Sequence, residues 1–139
     1  MSVQEDMERL EKLEELIQDL RQRSDEGAAI IVEGMRDRRA LRELGITGPI
    51  RLGTQKAILE LCEEVAREYN NVIVLTDWDY KGEKIARLMA DFLNNAGAVV
   101  NTDIRERIKA LVKKRIKDIE SLNNHMHNLR AELNTSDSI

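Results

Sequence analysis

The sequence predicts an α/β domain built on a four-stranded, mainly parallel sheet flanked by helices. Three observations predict it. Residues 28–32 and 72–75 are continuous apolar runs, as expected of strands buried on both faces of a parallel sheet. Segments with apolar residues at three- and four-residue steps separate the runs, and such alternation implies right-handed crossovers. Acidic residues stand directly after both runs, at Glu33 and at Asp77 with Asp79, where open α/β sheets bind ligands.

Element by element, Leu10, Leu13, Ile17 and Leu20 mark an amphipathic helix over residues 4–23, whose stripe is expected to pack on the sheet or on a second subunit. Gly27 breaks the pattern before the first strand. Residues 37–44 read as a helix closed by Gly45, residues 50–52 as a brief second strand after Pro49, and residues 56–69 as a helix with Ala57, Ile58, Leu61, Cys62 and Val65 inward. The third strand, 72–75, is followed by a helix over 85–93 closed near Asn95 and Gly97, and Ala98, Val99 and Val100 form the fourth. A long charged helix is expected over 103–133, with a break near Asn123 and Asn124. This divides the chain into an N-terminal helix (1–26), the α/β domain (27–103), a charged C-terminal helical extension (104–133) and a disordered tail (134–139).

Charged residues make up 35% of the 139-residue chain and aromatics 3%, so the core is aliphatic and little surface is offered for base stacking. No apolar run approaches a bilayer span and the acidic start is unlike a signal peptide, which points to the cytoplasm and away from membranes. The lone Cys62 excludes an internal disulfide and a cysteine-based zinc site. The net charge is −4, but residues 1–27 hold nine acids against four bases, so the remainder is near neutral. An acidic leader masks a more basic body.

Glu33, Asp77 and Asp79 form an all-oxygen donor set of the kind Mg²⁺ takes, with one or two carboxylates, several waters and substrate phosphate. Asp77 and Asp79, two apart in an extended segment, leave on the same face. Gly82 opens the following helix, whose free N–H groups can meet a phosphate. Asp37 is expected to cap the helix that follows it, or to orient a metal-bound water. Thr54 is expected as the N-cap of the next helix, or as a donor to phosphate. Arg36 and Lys81 lie nearest the two acidic groups and suit substrate phosphate. Trp78 is expected to pack rather than stack on a base, Tyr80 is not expected to be a nucleophile, and His125 and His127 form no chelate. The bases between Arg105 and Lys117 are expected on a solvated helix face, and they are the strongest candidate nucleic-acid surface outside the acidic edge.

The strand ending Ile-Ile-Val-Glu33-Gly34-x-x-Asp37 and the strand ending Leu-Thr-Asp77-x-Asp79-x-x-Gly82-Glu83 resemble the two defining motifs of Toprim domains. Such domains occur in topoisomerases, bacterial-type primases, old-family nucleases, recombination proteins and the Toprim nuclease that matures small ribosomal RNA. The resemblance covers about residues 27–103, and the whole chain is most similar to small stand-alone archaeal Toprim proteins. It implies the Rossmann-like Toprim fold, with Glu33 as general acid/base or ligand of a first Mg²⁺. By the same resemblance Asp77 bridges two ions and Asp79 holds the second, with Mn²⁺ as a substitute. The implied function is action on nucleic-acid phosphodiesters, as a nuclease or RNA-processing factor with RNA favoured over DNA. The tyrosine-bearing domain of topoisomerases and the zinc module of primases have no counterpart in these residues, so neither activity is implied. The alternative is a non-catalytic adaptor binding nucleic acid or a ribonucleoprotein, with a homodimer or protein contact through the N- or C-terminal helix.

Overall fold

The computed structural model of the protein describes residues 2–137. Its elements run α1 (Val3–Asp25), β1 (Ala29–Val32), α2 (Met35–Glu43), β2 (Ile50–Leu52), α3 (Ile58–Glu68), β3 (Asn71–Val74), α4 (Tyr80–Asn95), β4 (Val99–Asn101), α5 (Asp103–Val112) and α6 (Leu122–Asp137). All strand pairs are parallel, in the order β2-β1-β3-β4, with Ile30 facing Ile50 on one side and Ile73 on the other. The expected α/β class and four strands are therefore present.

β1 is buried along its whole length, and its alternation sorts the core into two layers. Ile30 and Val32 join Leu13, Ile17 and Leu20 of α1, Leu41 of α2, Ile104 and Ile108 of α5, and Leu122 and Met126 of α6. Ala29 and Ile31 face Leu61, Cys62 and Val65 of α3 with Met89 and Leu93 of α4. Each large aliphatic side chain buried in this way stabilises the fold by about 1.5–3 kcal/mol. Cys62 is fully buried, and burial pushes its thiol up to about 11, so it behaves as an apolar filler.

Helix α1 begins at Ser2, whose hydroxyl accepts the Glu5 N–H at 3.1 Å. Its apolar stripe is buried inside this chain, against α5 and α6, with Leu13, Ile17 and Leu20 at most 2% exposed. Gly27 ends the helix at φ 101°, a left-handed conformation in which a side chain would be strained. Among the described residues no helix is long and apolar enough to cross a membrane.

Several boundaries differ from the sequence reading. Helix α2 starts at Met35 rather than at 37, α3 at Ile58 rather than at 56, and α4 at Tyr80, five residues before the first of its expected apolar positions. The C-terminal stretch is two helices broken over 113–121, not one helix broken at Asn123 and Asn124. The cause is tertiary. The buried Trp78 indole donates to the Ile116 carbonyl at 2.7 Å, and the Trp78 backbone N–H donates to the Lys117 carbonyl at 3.1 Å, so these carbonyls serve the neighbouring turn instead of a helical ladder. The coil expected from Asn134 onward is helical as far as Asp137, while residues 138–139 lie outside the described residues.

His125 carries a buried Nε2 without a hydrogen-bond partner among the described residues, and His127 is exposed. Burial, and then the charges of Arg115 and Arg9, hold the His125 imidazole below its ordinary value.

Two outcomes follow. In urea unfolding, Ile17→Ala should lose about 2–5 kcal/mol because it opens a core cavity, whereas Met7→Ala, at a position 42% exposed, should change stability by less than about 0.5 kcal/mol. Equal small effects would mean that α1 is an appendage. The depressed pKa of His125 contributes stability that is full above the ordinary value of 6.5 and lost as pH falls through the folded value. Thermal melts taken from neutral pH down to about pH 5 should therefore fall more steeply for the wild type than for His125→Gln.

Candidate metal centre

Strands β1 and β3 are neighbours, and the ladder continues past their ends through the Leu75 N–H donating to the Ile31 carbonyl at 2.8 Å. That register sets Glu33 beside residues 76 and 77. The Glu33 carboxylate accepts the Asp77 N–H at 2.8 Å, across 44 residues of sequence. The convergence expected from strand placement is thus realised for Glu33 and Asp77.

Asp77 sits in the densest part of the acidic edge. Its Oδ1 accepts the Ile119 N–H at 3.2 Å from the 113–121 connection. Burial pushes its carboxyl up to about 8, with the neighbouring charges of Asp37 and Glu33 adding to the effect and the Ile119 N–H opposing it. Asp37 is 7% exposed. Burial raises its carboxyl too, offset in part by the Gly34 N–H, and Glu33, Asp118 and Glu120 add repulsion. The edge therefore gathers five carboxylates, two of them from the connection between α5 and α6. Among the described residues, however, no three acidic, His or Cys side chains form a ready-made ligand set.

Asp37 is not the N-cap expected from the sequence. Gly34 holds that position, and Asp37 reaches back from the third helical position to accept the Gly34 N–H at 3.1 Å. It braces the residue that follows Glu33.

Asp79 is the N-cap of α4, its Oδ1 accepting the Gly82 N–H at 2.7 Å. The extended Asp77–Asp79 segment expected from sequence is instead a bend leading straight into the helix, and Gly82 has its N–H engaged by Asp79 rather than free for phosphate. Gly82 is required for a different reason: a Cβ there would be driven into the Asp77 carbonyl. Thr54 is exposed in the turn after β2, four residues before α3 begins, so it caps no helix. Arg36 is 79% exposed and 3.8 Å from Glu120, and Lys81 is exposed.

Trp78 is 6% exposed in the core, as its packing role requires. Tyr80 is 77% exposed.

Arg105 is the residue sequence reasoning misplaced. Expected on a solvated basic face, it is 1% exposed. Its Nε donates to the Thr76 carbonyl and hydroxyl at 2.9 and 3.1 Å, and one terminal nitrogen donates to the Asp77 carbonyl at 2.7 Å. The guanidinium also pairs with Glu83 and Glu106. Burial pushes the Glu83 carboxyl up, but hydrogen bonds from Lys109 and Arg105 outweigh it and hold Glu83 below its ordinary value. The Thr76 hydroxyl donates onward to the Gly82 carbonyl at 2.8 Å, so Arg105 and Thr76 together lock the bend that carries Asp77 and Asp79. The available signal was spacing: Arg105 lies three and seven residues before the buried Ile108 and Val112, on their stripe.

Comparison with known proteins agrees with this architecture. The family model for the Toprim domain matches residues 28–120, reaching past the fourth strand and through residue 120 of the 113–121 connection. A UPF0292 protein of Methanosarcina barkeri is 39% identical over 122 residues, covering 88% of this chain and 85% of the relative. Another, from Pyrococcus horikoshii, is 41% identical over 116 residues, covering 84% and 85%. A solved structure of a protein from Aquifex aeolicus aligns with a TM-score of 0.67 at 30% identity, over 77% of this chain and 94% of that one. The chain, with its two acidic motifs at the ends of adjacent parallel strands, belongs to the Toprim domain family and, within it, to the UPF0292 proteins.

Proposed function

We propose that the acidic edge binds Mg²⁺ and acts on nucleic-acid phosphodiesters, as a nuclease or RNA-processing factor with RNA favoured over DNA. The observation that carries this reading is the meeting of Glu33 and Asp77 at the carboxyl ends of two adjacent parallel strands. The donor set is all oxygen, and burial raises both Asp37 and Asp77, with repulsion from neighbouring carboxylates adding to it. A hard divalent cation relieves that repulsion. Mg²⁺ takes one or two protein carboxylates and leaves its remaining positions to water and substrate phosphate, so Glu33 with Asp77 is enough protein for one ion.

In this reading Glu33, Asp77 and Asp79 would hold the Mg²⁺, one ion at Glu33 with Asp77 and a second at Asp79 with Asp77. Mg²⁺ bound there supplies electrostatic stabilisation of the charge that develops on a phosphodiester as water displaces an ester oxygen. Glu33 takes a proton from the attacking water as the new P–O bond forms, and returns it to the ester oxygen as the old bond breaks. Arg36 and Lys81 stand on the two flanks to hold neighbouring phosphates, with Thr54 beyond the end of β2 as a further donor. Asp37 keeps Glu33 in place through Gly34. The buried, unpaired Cys62 suits a reducing cytoplasm.

Paramagnetic resonance titration with Mn²⁺ should find wild-type binding, and Asp77→Asn should weaken it by at least the roughly 10–100-fold that losing a ligand-orienting group costs. Circular dichroism should be unchanged. Labelled RNA should be cleaved in Mg²⁺ and left intact in chelator or by Asp77→Asn. Mn²⁺ binding that survives the substitution would sink the reading of the site, and tight metal binding with no cleavage of RNA or DNA would favour the adaptor.

A further inference from the structure

The basic residues between Arg105 and Lys117 divide sharply once the chain is packed. Arg105 is buried. Arg107 pairs with Asp103 at 2.9 Å, Lys109 with Glu83, and Arg115 with Asp6 at 3.8 Å. Lys113, Lys114 and Lys117 are exposed, and among the described residues none has a carboxylate within ion-pair distance. Three uncompensated cations thus fall within five residues of a chain whose net charge is −4.

Their position gives them meaning. They lie on the 113–121 connection, which is fastened to the acidic edge through the Lys117 carbonyl on the Trp78 N–H at 3.1 Å and the Ile119 N–H on Asp77 Oδ1 at 3.2 Å. The connection is therefore held to the Asp77–Trp78 turn at Lys117 and Ile119 and to α5 at Lys113, and an anion binding its lysines loses little chain entropy in ordering it. Two residues after Trp78, Tyr80 presents a ring 77% exposed, with the Lys84 ammonium 5.1 Å from its centroid. An exposed ring with a lysine ammonium beside it, two residues from the Trp78 that anchors the connection, suits an unstacked base and its phosphate. A paired base cannot reach it.

We propose that Lys113, Lys114 and Lys117 form a phosphate track that leads single-stranded nucleic acid to the acidic edge, with Tyr80 stacking one base. The destination of the track rests on the proposed phosphodiester site, but binding along it needs no metal.

The test is fluorescence anisotropy with the full chain and short labelled oligouridylate and oligodeoxythymidylate, in EDTA across a range of salt. Replacing the three lysines by glutamine should flatten the slope of log K against log salt by about 2, from three contacts at roughly 0.7 each on a single strand. Tyr80→Ala should weaken binding by roughly tenfold and leave that slope unchanged. As a control, Lys12→Gln, Arg67→Gln and Arg87→Gln together remove exposed cations elsewhere and should leave the slope intact. Binding of either strand type supports the track, and the tighter of the two identifies the natural source of the phosphates. An unchanged slope in the lysine variant, an equal loss in the control, or duplex bound as tightly as single strand overturns it. Because EDTA removes divalent ions, failure here leaves the metal reading standing, and failure of Mn²⁺ binding leaves this slope untouched.

Discussion

Hydrogen bonds between residues 116–119 and the Asp77–Trp78 turn are the constraint on which the rest of the molecule depends. The buried indole needs an acceptor and takes the Ile116 carbonyl, the Trp78 N–H takes the Lys117 carbonyl, and Asp77 takes the Ile119 N–H. These bonds interrupt what would otherwise run on as helix. They send α6 back across the sheet to pack on α1, and they bring Asp118 and Glu120 toward Asp37. One short connection thereby closes the core over one face of the sheet and shapes the acidic edge.

That edge concentrates like charge, which opposes folding unless something compensates. Compensation comes partly from backbone N–H groups, with Glu33, Asp37, Asp77 and Asp79 each accepting one. It comes also from Arg105, which holds the backbone carbonyls of Thr76 and Asp77, while among the described residues Glu33, Asp37, Asp77 and Asp79 have no ion-pair partner. A buried guanidinium with most of its donors used is costly to desolvate and stabilising only because its geometry is satisfied. It rigidifies the bend without neutralising it. An edge built in this way keeps its carboxyls close together and partly buried, which raises both Asp37 and Asp77.

Membership of the Toprim family agrees with this division of labour between sheet and connection. The family match ends at residue 120, directly after the residues that bind Asp77 and Trp78. All of the connection but its last residue thus falls within the matched residues.

What the sequence by itself determined was the sheet and the pair of motifs. Runs such as Ile30, Ile31 and Val32 are buried on both faces whichever neighbours they meet, so continuous hydrophobicity sufficed to find the strands. The two acidic groups follow the strand ends by chain connectivity alone, and parallel pairing then places Glu33 beside Asp77. Only the tertiary structure decided which carboxylates crowd together and which cap a helix. Asp37 and Asp79 have similar local surroundings in sequence, yet one is buried among acids and the other exposed on α4. It likewise separated Arg105 from Lys113, Lys114 and Lys117, which the sequence presents as one basic run. The physical reason is that the contacts deciding Arg105, Asp77 and Asp37 come from residues 29 to 83 places away, and such long-range contacts leave no periodicity in the local sequence to read.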